Sequence, residues 1–276
     1  MAEVSLFKNK TVLITGGAEG LGRALALELA LAKADMIVVD KSKDQINSLI
    51  NEISKMKKKL GRVTGIEGDV SSLKGCEEII KNAKRVSGSI DILINNAAAL
   101  VPSKFEEHKN QDIQNMVNVN IMGTINMTKL ALPFLRSSKK SGLINISGFF
   151  GKVGVPYFSV YSATEFAITG FTEALQREFA GEPIRVMGVY TAGIKTNMFK
   201  GMIGKMTKMN FVFEAPEVVA KKIITAYNEM KNDLVLGKNE KSLAFWNTAS
   251  KKSVDNKFKK IKTKLLNAAA NFGSDE

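Results

Sequence analysis

Residues 11–40 read TVLITGGAEGLGRALALELALAKADMIVVD, and this stretch decides the fold. It joins a short β-branched run, a glycine-rich turn, an apolar segment of helical length, and a second apolar run that ends in Asp40. Glycines between a strand and a helix permit a tight turn and close approach of the backbone to a pyrophosphate. The helix N-terminus behind them offers free N–H groups and a partial positive charge. A glycine-rich loop by itself is only a turn. Its position between strand and helix, with an acid closing the next strand, makes it a candidate dinucleotide site. Gly16, Glu19, Gly20, Leu21 and Gly22 are therefore the candidate phosphate-binding residues. Asp40 lies 18 residues beyond Gly22, where a carboxylate accepts hydrogen bonds from a ribose 2′-OH and repels a 2′-phosphate. Glu19 pushes the same way, so NAD(H) is expected over NADP(H). The plainer role for Asp40 is to cap the end of its strand.

Outward from this unit the chain keeps alternating. Strands are expected at 11–15, 36–40, 62–67, 91–95, 142–147, 184–190 and 234–236. Helix-length stretches lie at 20–32, 43–58, 110–135, 158–180 and 216–230. The strands are almost continuously apolar, as they are where helices cover both faces of a parallel sheet. The expected fold is α/β, a doubly wound parallel sheet (Rossmann fold), in a single domain over residues 1–238. Residues 197–214, rich in Met, Phe, Lys and Gly, break the alternation and read as a mobile insertion. Residues 239–276 read as a tail. In it Val254, Phe258, Ile261, Leu265 and Ala268 recur at helical spacing with lysines between them, the pattern of a basic amphipathic helix. Such a helix can lie on an anionic membrane or clasp a partner. Packing on its own domain or on a dimer mate is the duller expectation, and the stronger one.

Composition narrows the chemistry. Lys and Arg number 40 against 27 Asp and Glu, a net charge of +13. The excess gathers in Lys55, Lys57, Lys58 and Lys59 and in the tail, as solvated faces or as a lure for anions. No helix-turn-helix or finger pattern accompanies it, so nucleic acid is not an expected partner. Cys76 is the only cysteine, which excludes an intrachain disulfide and suits a reducing compartment. His108 is the only histidine, so no metal site and no Ser–His pair is expected, and its loop position reads as solvated. No apolar run is long enough to span a membrane, and the first residues lack a signal-like apolar core. A cytoplasmic location is expected, with peripheral membrane contact open to the tail.

The glycine spacing resembles that of the short-chain dehydrogenase/reductase family, and further matches extend over residues 8–237. Asp69-Val70 looks like the family's adenine-contacting pair. Asn95-Asn96-Ala97-Ala98 resembles its Asn-Asn-Ala-Gly segment, with Ala98 in place of glycine. Asn120 matches the motif asparagine of the fourth helix. Tyr190-Thr191-Ala192-Gly193 with Thr196 resembles the Pro-Gly…Thr segment beside the nicotinamide, with Ala192 in place of proline. The resemblance implies a nicotinamide dinucleotide contacted by Asp69, Val70, Asn96, Ala97, Gly193 and Thr196. It also implies a homodimer or homotetramer joined through the helices at 110–135 and 158–180, where Ala163, Ala167 and Gly170 permit close approach. The segment after Thr196 corresponds to the family's substrate loop. Its Met198, Phe199, Met202, Ile203, Met206, Met209, Phe211 and Phe213 suit a small apolar carbonyl or alcohol, or else pack as core.

The resemblance breaks at the catalytic end. The family pairs a tyrosine with a lysine four residues on, and adds an upstream serine and the helix-four asparagine. Tyrosine exchanges a proton with the substrate oxygen, lysine lowers its pKa and holds the nicotinamide ribose, and serine binds the reacting oxygen. Here Tyr161 and Asn120 match, but Glu165 stands at the lysine position and Gly148 at the serine position. Ser147 is adjacent, and in a regular strand its side chain faces the other side of the sheet from residue 148. A local bulge would let it substitute, and a relay through Lys152 is a further alternative. A carboxylate beside a phenol raises the tyrosine pKa, so Tyr161 becomes a poor base while remaining a proton donor. Three readings stay open: an NAD(H)-dependent oxidoreductase of weak or altered activity, a non-catalytic NAD(H)-binding sensor or scaffold, and a lyase-like or isomerase-like use of Glu165.

Overall fold

The computed structural model describes residues 5–56, 58 and 60–274; Lys57 and Lys59 of the basic run lie outside the described residues. Its first half runs β1 (Thr11–Thr15), α1 (Gly20–Leu31), β2 (Asp35–Asp40), α2 (Lys43–Lys55), β3 (Val63–Glu67), α3 (Leu73–Ser87) and β4 (Ile92–Asn95). Next come α4 (Asn110–Met116), a π-helical segment (Val117–Gly123), α5 (Thr124–Ser137), β5 (Ser141–Gly148), α6 (Ser159–Glu178) and β6 (Ile184–Thr191). The remainder is β7 (Gly193–Ile194), α7 (Ile203–Thr207), β8 (Phe213–Glu214), α8 (Pro216–Asn228), β9 (Asp233–Val235), α9 (Lys238–Ala249) and α10 (Lys251–Ala269). Among the described residues no helix is long and apolar enough to cross a membrane.

Seven strands form one parallel sheet in the order β3-β2-β1-β4-β5-β6-β9. The pleat sorts each strand between two cores. Val12, Ile14 and Val38 face α1 and α8 in one, while Leu13, Ile37 and Leu143 face α3, α5 and α6 in the other. The strand order reverses between β1 and β4, and a crevice opens there at the carboxyl ends of the strands, where open α/β sheets bind ligands.

A third core sits above that end of the sheet. Phe149, Phe150, Phe158 and Tyr161 pack there with Met202, Met206, Met209 and Phe211. Residues 197–214 are thus not a loose insertion. They form a short 3-10 turn, α7, and β8 paired with β7. Met202, Met206 and Met209 turn inward while Lys200, Lys205 and Lys208 stay exposed. The tail closes this core from outside. Val254, Phe258, Leu265 and Ala268 are buried in it, and Ile261 packs at its edge. The amphipathic stripe is therefore covered by the domain itself.

Leu265 is fully buried. Leu265→Ala is expected to lower the unfolding free energy by about 2–5 kcal/mol in urea titration. A loss typical of surface sites, roughly 0.5 kcal/mol, would mean that the tail does not pack as described.

Candidate active site

A cavity of about 440 Å³ occupies the crevice. The glycine turn forms one wall, and its glycines are required by contact. Gly16 has φ +59°, and a Cβ on it would stand 2.9 Å from the Cα of Ala97. A Cβ on Gly22 would stand 2.0 Å from the carbonyl oxygen of Gly16. The turn is pinned to β4 by Asn96, whose Nδ2 donates to the carbonyls of Thr15 (3.0 Å) and Gly16 (2.8 Å). No side chain caps α1, and Gly20 and Leu21 of its first turn line the cavity. That is the arrangement in which a helix N-terminus receives an anion.

Asp40 caps the end of its strand and also faces the cavity. One carboxylate oxygen accepts from the Ala18 N–H at 3.1 Å and the other from the Ser42 N–H at 3.2 Å, and the residue still lines the cavity. Gly16, Glu19, Asp69 and Val70 also line it, as do Asn96, Ala97 and Thr196. Glu19 reaches across the mouth to accept a hydrogen bond from Asn197 Nδ2. Two of the expected cofactor residues have other work. Gly22 supports the turn from behind, and Gly193 makes room for the Phe213 ring, 2.7 Å from where its Cβ would stand. Thr191, Ala192 and Ile194 line the cavity around Gly193. Lys41 lines it too, a residue that the sequence reading passed over although it follows Asp40 directly on the same turn.

The floor lies between β5 and α6. Regular alternation along β5, in register with β6 from Ser141 to Gly148, turns the Ser147 side chain onto α6. There Ser147 Oγ donates to Glu165 Oε2 at 2.8 Å, and the Gly148 N–H donates to the same oxygen. No bulge forms, so Ser147 is a ligand of Glu165 and does not take the position of residue 148. Glu165 is 3% exposed. Burial pushes its carboxyl above the ordinary range, against the Gly148 amide, the Ser147 hydroxyl and the Tyr161 phenol, which favour the charged form. Tyr161 is 6% exposed; burial first, and then the Glu165 charge and hydrogen bond, hold its phenol well above the usual tyrosine value. Phe150 lies edge-on to the Tyr161 ring, centroids 5.2 Å apart. All of Ser147, Gly148, Tyr161 and Glu165 line the cavity.

Asn120 is near this floor but does not line the cavity. Its Oδ1 accepts from the Ala99 N–H (2.7 Å), and its Nδ2 donates to the Ala99 carbonyl and to Thr164 Oγ1 (both 2.9 Å). It sits in the π-helical segment and braces the 99–100 backbone against α6, a positioning residue by geometry. Lys152 offers no relay. Its Nζ stands over the Tyr190 ring, 3.9 Å from the centroid, and 4.0 Å from Glu173. His108 has both ring nitrogens shielded from solvent and unpartnered among the described residues, contrary to the solvated position expected. The apolar end of the cavity is built by Leu100, Val119, Phe150, Met198 and Phe199. Of the methionines and phenylalanines foreseen as substrate contacts, only Met198 and Phe199 reach it.

A family model described as short chain dehydrogenase matches residues 10–206. The 3-oxoacyl-[acyl-carrier-protein] reductase FabG of Thermotoga maritima is 30% identical over 223 residues, 79% of this chain and 89% of that protein. The ketoacyl reductase HetN of a Nostoc species is 27% identical over 231 residues, 83% of this chain and 79% of that protein. SadH of Mycobacterium tuberculosis is 28% identical over 257 residues, 87% of this chain and 90% of that protein.

The raised Glu165 carboxyl has a consequence for stability. The folded state binds this proton more tightly than the unfolded chain does. The resulting stabilisation is complete below the ordinary glutamate range and is lost as pH rises through the folded value. Glu165→Gln keeps an acceptor for Gly148 and Ser147 and removes the ionisation. Its melting temperature relative to wild type is expected to rise as pH climbs above the ordinary glutamate range. A difference that stays flat above that range would show that Glu165 titrates as a solvated acid.

Proposed function

The chain belongs to the short-chain dehydrogenase family, and from that premise we propose that it is an NAD(H)-dependent oxidoreductase working slowly, in the direction of carbonyl reduction, on an apolar substrate. The observation that carries this reading is the buried Glu165 carboxyl bonded to Ser147, Gly148 and the Tyr161 phenol. The glycine turn, Asp40, Asn96 and Thr196 would hold the dinucleotide, and members of this family bind nicotinamide cofactors. When bound, that group supplies or takes up a hydride.

The chain's own residues decide the direction. Tyr161 stays protonated, whether Glu165 is neutral or charged. A unit charge about 5 Å away at an effective dielectric near 20 is worth roughly 3 kcal/mol, so replacing a cation by an anion shifts the phenol by about twice that. A permanently protonated phenol donates to a carbonyl oxygen and cannot accept an alcohol proton at neutral pH. A protonated Glu165 can then return a proton to the Tyr161 oxygen. Leu100, Phe150, Met198 and Phe199 favour an apolar substituent on the carbonyl. Asp40 and Glu19 support NAD(H) over NADP(H), while Lys41 pulls the other way.

On the outward face of α6, Ala163, Phe166, Ala167 and Gly170 are exposed or half-exposed at helical spacing. Phe166 and Met122 are each 43% exposed. This face supports self-association into a homodimer or homotetramer. Two observations favour a second reading, an NAD(H)-binding sensor without turnover: Lys152 is engaged away from the floor, and among the described residues no lysine lines the tyrosine side of the cavity.

Fluorescence titration is expected to show NADH binding more tightly than NADPH, and Asp40→Ala to reverse that order because Lys41 is left unopposed. NADPH preference in the wild type would refute the assignment of Asp40. Gly148→Ser with Glu165→Lys is expected to raise NADH-dependent carbonyl reduction by about 10²–10⁴-fold, the usual worth of positioned acid–base catalysis. A Cβ on Gly148 meets the fixed neighbour Phe150 at 3.6 Å, an ordinary contact distance. No gain over a broad carbonyl panel with the fold intact would favour the sensor.

A further inference from the structure

The C-terminal helices carry a surface that neither the cavity nor the core uses. α10 holds seven lysines against a single acid, Asp255. None of the seven forms an ion pair among the described residues. With its apolar stripe committed to the third core, the helix turns this basic side to solvent. On α9, Phe245 and Trp246 are 64% and 47% exposed and pack edge to face with centroids 5.4 Å apart. Trp246, Ser253 and Lys257 line one shallow groove between the two helices. From Lys257 the helical repeat continues through Lys260 and Lys264, so a lysine row runs along α10 from the groove that Trp246 lines.

We propose that this face docks on an anionic lipid bilayer, with Phe245 and Trp246 seated at the headgroup boundary and Lys257, Lys260 and Lys264 over the lipid phosphates. The charge complementarity is one-sided, and the whole chain adds to it with a net charge of +13. Indole and phenyl rings beside lysines are the chemistry of a membrane–water boundary, where an apolar ring and a wet rim are both satisfied. Edge-to-face packing leaves the two rings without parallel platforms for successive bases, which argues against single-stranded nucleic acid. The inference is independent of the reading of the active site. It also differs from insertion of the amphipathic stripe, which the structure buries.

Trp246 is the only tryptophan in the chain, so its emission reports this contact directly. The full-length protein is titrated with phosphatidylcholine vesicles, with and without phosphatidylglycerol, and sedimented with them in parallel. The anionic vesicles are expected to shift the emission to the blue, shield it from an aqueous quencher and carry the protein down, less so as salt is raised. Lys257→Glu, Lys260→Glu and Lys264→Glu together are expected to weaken partitioning by roughly a hundredfold or more, at about fivefold for each lysine lost from an anionic surface. Phe245→Ser is expected to weaken it while leaving the salt dependence. The proposal is overturned by an unchanged emission without sedimentation, by equal binding to neutral vesicles, or by lysine variants that bind as wild type. A shift produced by single-stranded RNA and not by vesicles overturns it as well. So does a blue emission that appears with protein concentration alone, which would place a second copy of the chain on this face.

Discussion

A carboxyl group shut away from water must find donors or keep its proton, and burial at Glu165 favours the proton while its donors favour the charge. Its Oε2 takes the Ser147 hydroxyl and the Gly148 amide, which joins the end of β5 to the middle of α6. The contact sets the floor of the cavity and fixes what Tyr161 can do. Burial raises both groups, and the charge and hydrogen bond of Glu165 raise the Tyr161 phenol further. The outcome is a floor that holds protons and releases few of them. Such a floor suits donation to an oxygen that is gaining charge, and it opposes abstraction from a hydroxyl.

The other end of the cavity depends on backbone contact. The Gly16 carbonyl against the Gly22 Cα, and Asn96 holding both Thr15 and Gly16, bring the first turn of α1 to the crevice with its amides uncapped. These contacts owe nothing to Glu165. Cofactor retention and proton chemistry therefore rest on separate parts of the molecule. A change at the floor can alter or silence turnover while the glycine-turn end stays intact.

Much of this architecture is written locally. The apolar runs and the glycine turn mark each strand of the main sheet to within a residue or so, because a strand covered on both faces needs no partner to reveal it. The pleat alone sends Ser147 to the face opposite residue 148, and the structure finds it there against Glu165. What escapes is long-range. Residues 197–214 read as a mobile insertion because they break the alternation, and the helix that buries Met202, Met206 and Met209 lies some fifty residues further on. Gly193 reads as a cofactor contact from its motif, yet it answers to Phe213. Asn120 falls on the expected helix, but the π-helical turn that aims its amide at Ala99 has no local signature in the side chains. The tail stripe is plain in the sequence. Its partner is not, since an apolar stripe on its own does not say whether a membrane, a mate or its own domain covers it.

The protonation of Glu165 is open to direct observation by difference infrared spectroscopy, taken between pH steps on wild type and on Glu165→Gln. A protonated-carboxyl band that is absent from the variant and persists in the wild type above the ordinary glutamate range is the expected result. A Glu165 already ionised in the usual acid range, beside a Tyr161 that ionises at or below the ordinary tyrosine value, would contradict it and return the site to conventional tyrosine-base chemistry.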